Sequence, residues 1–104
     1  MFVIGGPPAN AFPVSPWEYY FATVPARERE DWDEAIRIAS EGLEAHPGHA
    51  NVHYELACLH ALAGHREEAF DHLEQAIAAD PRTAEWARTD EDFDSLRDDP
   101  RFPA

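Results

Sequence analysis

The amino-acid sequence predicts an all-α protein of antiparallel helix hairpins, about two in number, with an extended N-terminal arm and a short helical cap at the C-terminus. Three observations lead to this fold class. Apolar residues recur every three or four positions in successive segments, which is the period of an amphipathic helix. Helix-starting and helix-stopping residues bound each of these segments. Ala35 and Ala69, and likewise Pro47 and Pro81, lie 34 positions apart.

The N-terminal segment, residues 1–14, holds two Gly and three Pro, which predicts an extended arm instead of a helix. Within it, Phe2-Val3-Ile4 has the composition of a short strand. Ser15-Pro16-Trp17-Glu18 then forms a capping box with Pro at the first helical position, where its missing N–H costs nothing. The helix that begins there either kinks or ends at Pro25.

Three further long helices are predicted over residues 31–46, 50–64 and 66–79. Acidic residues gather at the start of the first of these, and His46-Pro47-Gly48 ends it. Gly64 ends the second, and Asp80-Pro81 ends the third. Shorter helical patterns follow around 84–88 and 93–98.

Composition restricts the partners that the chain can have. The 104 residues suffice for one domain, and 21 acidic residues against eight Arg and no Lys give a net charge of −13. Because such a surface repels phosphate backbones and anionic lipid headgroups, we expect no nucleic-acid and no membrane partner. The single cysteine, Cys58, excludes an intrachain disulfide and fits a reducing, cytoplasmic setting. The N-terminus also lacks the basic segment of a signal peptide.

The second hairpin carries a spaced motif. It reads His53-x-x-Leu56-Ala57-x-x-His60, followed by Gly64, Ala69-x-x-x-Leu73, Ala76 and Pro81. This resembles the tetratricopeptide repeat pattern W-x₂-L-G-x₂-Y…A-x₃-F…P, with the same spacing at every position. The resemblance implies repeats of about 34 residues in which small side chains let two helices approach closely. It also implies a module that binds proteins or peptides.

The resemblance weakens on either side of that hairpin. In the first unit, residues 16–49, Thr23 and Gly42 fit the pattern only loosely. A third unit begins at Ala84 and degenerates into a segment similar to the one that closes many bacterial tetratricopeptide proteins, which implies that apolar residues cover the end of the stack: Phe93, Leu96 and Phe102. The predicted division is an arm over 1–14, two hairpins over 15–83, and a degenerate third repeat that acts as a cap over 84–104.

The N-terminal stretch GGPPANAFPVSPWE is also similar to the junction in bacterial proteins where a cupin-like barrel runs into a tetratricopeptide tail. On that interpretation the arm is the last strand of such a barrel. The H-x-H metal-binding core of cupins is absent, so the resemblance implies no cupin chemistry.

Six histidines raise the question of a metal site. His49 and His53 are four residues apart, the spacing of one helix face, and His46 and Glu55 lie near them. No H-E-x-x-H or equivalent motif is present, and His53 and His60 occupy positions where the family packs aromatic residues between helices. Packing is therefore the favoured role for these histidines, and we predict no metal.

Two other patterns suggest chemistry. Asp90-x-Asp92-x-Asp94 imitates the opening of a calcium loop, but Ser95 and Arg101 stand where the Gly and the bidentate Glu belong. Cys58 has no base partner at a fixed spacing, and no glycine-rich phosphate loop is present. We therefore expect a solvated acidic cap, a helical thiol without catalytic function, no cofactor and no enzymatic activity.

The family binds extended peptides along the concave face formed by the first helices of its hairpins. Matching this sequence position by position implies a partner-binding groove of Trp17, Tyr20, Val24, Arg27, Asn51, Tyr54, Cys58, Ala61 and Arg88, with Glu85 on the same face as Arg88. The family's clamp for a C-terminal carboxylate needs Lys, which this chain lacks. The alternative is that Trp17 and Tyr20 pack against residues 1–14.

Two functions follow from these observations. The first is an adaptor that binds a protein or peptide through aromatic anchors and favours basic partners because of its acidic flanks. The second is an accessory subunit or remnant whose arm completes the sheet of a partner by strand addition. With fewer than three full repeats the stack has apolar ends, which the arm, the cap or a second subunit in a homodimer would cover.

Overall fold

A computed structural model describes residues 15–103. Over this range the chain forms five α-helices and a final 3₁₀ helix, and no strand: α1 (Pro16–Glu28), α2 (Trp32–Ala45), α3 (Ala50–Ala63), α4 (Arg66–Ala79), α5 (Arg82–Thr89) and the 3₁₀ helix (Glu91–Leu96). Helices α1 and α2 pack as one hairpin, α3 and α4 pack as the next, and α2 joins the two by packing on α3. The predicted all-α hairpin fold is confirmed. The predicted arm and its strand lie outside the described residues.

Helices α1 and α2 begin where the side chain of the preceding residue accepts a hydrogen bond from an N–H of the first turn. Ser15 Oγ accepts a hydrogen bond from the Trp17 N–H at 3.2 Å, and Asp31 Oδ1 accepts one from the Glu34 N–H at 3.2 Å. At the end of α3, Gly64 adopts a φ of 85°, the left-handed conformation that glycine reaches without strain.

Pro25 does not end α1. The helix continues to Glu28, and the chain then turns at Glu30, which has a φ of 59°. The Asp31 N–H donates to the Ala26 carbonyl at 2.8 Å and closes this turn. Ala26 is 2% exposed, so the last turn of α1 is held by packing after the proline has removed one backbone donor.

Small buried residues allow the helices to approach closely. Ala35, Ala57, Ala69 and Ala76 are fully buried, as the repeat pattern predicts. Gly42 fits the pattern loosely but has a similar role, because a Cβ built there would lie 3.0 Å from Cγ of Tyr19 on α1.

The C-terminal segment packs over the end of the second hairpin. Phe93 and Leu96 are buried in the core that α3 and α4 share, and Phe102 packs against it. The Arg101 guanidinium lies 4.7 Å from the centre of the Phe70 ring and also binds Glu67 at 3.0 Å. This cap carries the chain from α5 back across α3. None of the helices in residues 15–103 has the length and apolar character required to span a bilayer.

Candidate functional site

The candidate site is a groove bounded by α1, α3, α5 and the turn that leads into the 3₁₀ helix. It encloses a cavity of about 270 Å³. Helices α1 and α3 are the first helices of the two hairpins, and α5 begins the degenerate third unit, so these are the helices on which the family resemblance predicts a groove. The groove is open to solvent, and its lining combines aromatic rings with carboxylates.

Six of the nine residues predicted for a partner-binding groove line this cavity: Trp17, Tyr20, Arg27, Asn51, Tyr54 and Cys58. The other three do not. Val24 is half-buried elsewhere on α1, and Ala61 is 6% exposed in the core under the cap. Arg88 and its neighbour Glu85 are exposed on α5 away from the cavity. That any of these residues binds a partner stays a prediction.

The structure adds lining residues that the sequence did not indicate, among them Trp86, Glu55, Asp90 and Asp92. Trp86 was missed because the degenerate third repeat was matched from Ala84, whereas α5 begins at Arg82. A large aromatic residue in an otherwise polar short helix was the available signal.

Aromatic rings form the walls of the groove. Trp17 is 57% exposed, Tyr20 38% and Trp86 41%, so three large rings contact solvent around one cavity. Trp17 and Tyr20 pack edge to face with ring centroids 6.1 Å apart. Trp86 packs edge to face on Tyr54 at 5.5 Å. The alternative packing of Trp17 and Tyr20 against residues 1–14 lies outside the described residues.

The polar part of the groove is organised around Asp90, which caps the 3₁₀ helix. Its Oδ1 accepts the Asp92 N–H at 3.0 Å, and its Oδ2 accepts the Tyr54 hydroxyl at 2.8 Å. Burial, and then the bond to Asp90, raise the pKa of Tyr54, so the phenol keeps its proton. Arg27 Nη2 binds Asp92 Oδ2 at 3.1 Å, which joins α1 to the cap.

Glu55 is a buried carboxyl next to the same cavity. It is 7% exposed, and its Oε2 lies 2.8 Å from the Thr23 hydroxyl oxygen. The Thr23 oxygen also lies 2.6 Å from the Tyr20 carbonyl. One hydroxyl carries one proton and cannot donate to both acceptors at once. Burial raises the pKa of Glu55 against the lowering effect of the Thr23 hydrogen bond and Arg27, and only the protonated form of this carboxyl carries the proton for a second hydrogen bond.

Cys58 lies beside the two cap carboxylates, with its Sγ 3.8 Å from Asp90 Oδ2. Burial, and then the charge of Asp90, raise the pKa of the thiol well above its ordinary value, so it remains protonated at neutral pH. Donor atoms of Cys58, Asp90 and Asp92 lie within 4.8 Å of one another, close enough to share a metal ion. A protonated thiol and a carboxylate already paired with Arg27 make a poor donor set for a cation.

Within residues 15–103, the histidines that suggested a metal form no group of three donor atoms close enough to hold one, although the His46 and His49 rings are in contact. His49 caps the N-terminus of α3, where its Nδ1 accepts the Asn51 N–H at 3.2 Å, so it does not share a helix face with His53. His53 instead pairs with His72 of α4, with the Nδ1 atoms 3.1 Å apart.

His53 and His60 lie between α3 and α4, as the packing interpretation predicts. His53 is 4% exposed, and the His60 ring stacks on His72 with centroids 5.5 Å apart. Burial, and then the nearby histidines His53 and His60, lower the pKa of His72 to about 4. His53, His60 and His72 thus form a histidine cluster between α3 and α4, in which His72 is uncharged at neutral pH.

Residues 26–89 match a family model described as Tetratricopeptide repeat. The match begins near the end of α1 and extends through α2, α3 and α4 to the last residue of α5, and it covers more than half of the chain. It does not reach the N-terminal stretch that is similar to a cupin junction, and nothing else supports that resemblance. Comparisons with curated proteins and with solved structures gave no match.

Proposed function

Because the chain belongs to the tetratricopeptide repeat family, we propose that it is a non-catalytic protein-interaction module whose aromatic groove binds an extended segment of a partner protein. The observation that carries the proposal is the set of exposed rings around one cavity. Trp17, Tyr20 and Trp86 are each more than a third exposed, although large aromatic side chains normally bury most of their surface. Such residues are the usual hot spots of protein interfaces.

The size of the cavity also favours a peptide segment. At about 270 Å³ it lies just below the range of roughly 300–1,000 Å³ that encloses whole small molecules. A cavity of this size accommodates one or two side chains, while the rest of the partner segment lies along the open groove.

The chemistry of the lining supports binding instead of catalysis. Cys58 is the one nucleophilic thiol in the chain, and its raised pKa keeps it in the unreactive protonated form. Glu55 is held by Thr23 of α1, a contact that joins the two hairpins and gives the carboxyl a structural role. A buried, reduced cysteine fits the cytoplasmic setting that we propose for the chain.

Selection from a random peptide library tests this function. A selected peptide is titrated into the protein while the three indole N–H signals are followed by NMR, each assigned from a Trp→Phe variant. We expect the Trp17 and Trp86 signals to shift in a saturable manner and the Trp32 signal to stay unchanged. Trp32 is a built-in control because it packs, partly buried, against the core that α1, α2 and α3 share and does not line the cavity. Saturable binding that moves neither Trp17 nor Trp86 would contradict the proposal.

A further inference from the structure

We propose that the groove selects an arginine side chain of the partner segment, whose guanidinium stacks on the exposed indoles and binds the Asp90 carboxylate. This inference rests on the proposed function, because it names the side chain that the groove recognises. It is carried by the charges and the rings that line one cavity.

Asp90 lines the cavity with a carboxylate that has no ion-pair partner within residues 15–103, since the nearby Arg97 guanidinium pairs with Asp94 and donates to the backbone carbonyl of Asp90. Arg27 is the single cation among the described lining residues, and it is already paired with Asp92 at 3.1 Å. Within residues 15–103 the Asp90 carboxylate makes no ion pair, and its side-chain contacts are the Asp92 N–H, the Tyr54 hydroxyl and the Cys58 thiol. A carboxylate has about four acceptor positions, so one remains for a donor from a partner.

The position of Asp90 strengthens its attraction for a cation. The residue is half-buried, and a charge near a low-dielectric wall attracts an opposite charge more strongly than one in bulk water. The net charge of −13 also draws basic segments towards the protein over a longer range.

The aromatic walls favour arginine over other cations. Indole faces attract cations, and the planar guanidinium stacks on them while its N–H groups point sideways to a carboxylate. Trp17 of α1 and Trp86 of α5 each have exposed indole surface, and both line the cavity that Asp90 borders. An ammonium group of lysine forms no such stack and binds as a point charge.

The direct test uses two probes of the same shape, N-acetyl-argininamide and N-acetyl-citrullinamide, in which a neutral urea replaces the guanidinium. Each is titrated into the protein while the Trp17 and Trp86 indole signals are recorded. We expect the arginine probe to bind at least about tenfold more tightly than the citrulline probe, since charged hydrogen bonds are about twice as strong as neutral ones.

Two matched variants locate the effect. Asp90→Asn removes the charge, and its amide oxygen keeps the cap on the Asp92 N–H, while its amide N–H faces the Tyr54 oxygen as a donor in place of the lost acceptor. Asp98→Asn removes the same charge from an exposed position outside the cavity. We expect Asp90→Asn to abolish most of the preference for arginine and Asp98→Asn to leave it intact. Circular dichroism of both variants checks that they are folded.

The outcomes separate this inference from the function on which it rests. Equal affinity for the two probes, no indole shift with either, or equal effects of the two variants would overturn the arginine site. If a library peptide nevertheless bound at Trp17 and Trp86, and replacing its arginines by citrulline changed nothing, the interaction module would stand without the arginine site.

Discussion

Glu55→Gln is predicted to stabilise the protein at neutral pH. The Thr23 hydroxyl lies 2.6 Å from the Tyr20 carbonyl and 2.8 Å from Glu55 Oε2, and its single proton serves only one of these acceptors. When Glu55 is ionised, the Thr23 oxygen therefore lies against one acceptor oxygen, that of Tyr20 or that of Glu55, with no proton between them. Glutamine has the same shape, and its amide donates the missing hydrogen bond to Thr23. A net hydrogen bond is worth about 1 kcal/mol, so we expect the free energy of unfolding to rise by about that amount.

The effect must depend on pH in a defined direction. Burial raises the pKa of Glu55 in the folded state above its ordinary value of 4.5, so the folded protein holds this proton more tightly than the unfolded chain. The resulting stabilisation is complete below the unfolded pKa and is lost as the pH rises through the folded pKa. Wild type and Glu55→Gln should therefore be equally stable near pH 4 and diverge towards neutral pH.

Urea denaturation followed by circular dichroism measures this difference at a series of pH values. Glu44→Gln is the matched control, because it removes the same charge from an exposed position on α2. A Glu55→Gln variant that is less stable than wild type at neutral pH would refute the reasoning, since the ionised carboxylate would then stabilise the fold.

Three further predictions concern the core, the cap and the histidine cluster. Burial lowers the pKa of His72 from 6.5 to about 4 in the folded protein. The uncharged ring therefore contributes its full stability above pH 6.5, its pKa in the unfolded chain, and this stability is lost as the pH falls towards 4. Allowing for screening of this partly exposed ring, we expect a loss of roughly 1–2 kcal/mol over that range in thermal denaturation, and His72→Gln to remove it. Phe93→Ala should lower the free energy of unfolding, measured by urea denaturation, by about 3–5 kcal/mol because the ring is fully buried. Phe21 is 63% exposed, so Phe21→Ala should lower it by less than about 0.5 kcal/mol. Equal costs would contradict the packing of the cap. Gly64→Ala should lower the free energy of unfolding by about 1 kcal/mol in the same assay, because the residue has a φ of 85°, which strains any residue with a Cβ. A Cβ there meets no atom within 4 Å, so a steric clash adds nothing to this loss. A smaller loss would mean that the backbone relaxes.

The helices were predictable because their signals are local. Ser15, Asp31 and Gly64 each cap a helix through atoms only a few residues away, so the sequence contains both partners. Whether α1 would continue past Pro25 was not predictable in this way. That outcome depends on Ala26, which is held against the second helix by packing that no local pattern describes.

The groove was predictable only where the repeat is well formed. Residues of α1 and α3, such as Tyr20 and Tyr54, were placed by matching repeat positions, and they do line the cavity. The third unit is degenerate, so the same matching selected Arg88 instead of Trp86. The role of Asp90 could not be read from its sequence, because the contact with Tyr54 spans 36 residues and forms only when the cap turns back across α3.

The affinity of a library-selected peptide for two matched variants tests the central claim most directly. Trp86→Ala removes a ring that lines the cavity, and Phe21→Ala removes a ring that is even more exposed but lies outside it. If the groove is the binding site, Trp86→Ala should weaken the Kd by about 30-fold, corresponding to the roughly 2 kcal/mol of an interface hot spot, while Phe21→Ala leaves it unchanged. Equal affinities for the two variants would contradict the account.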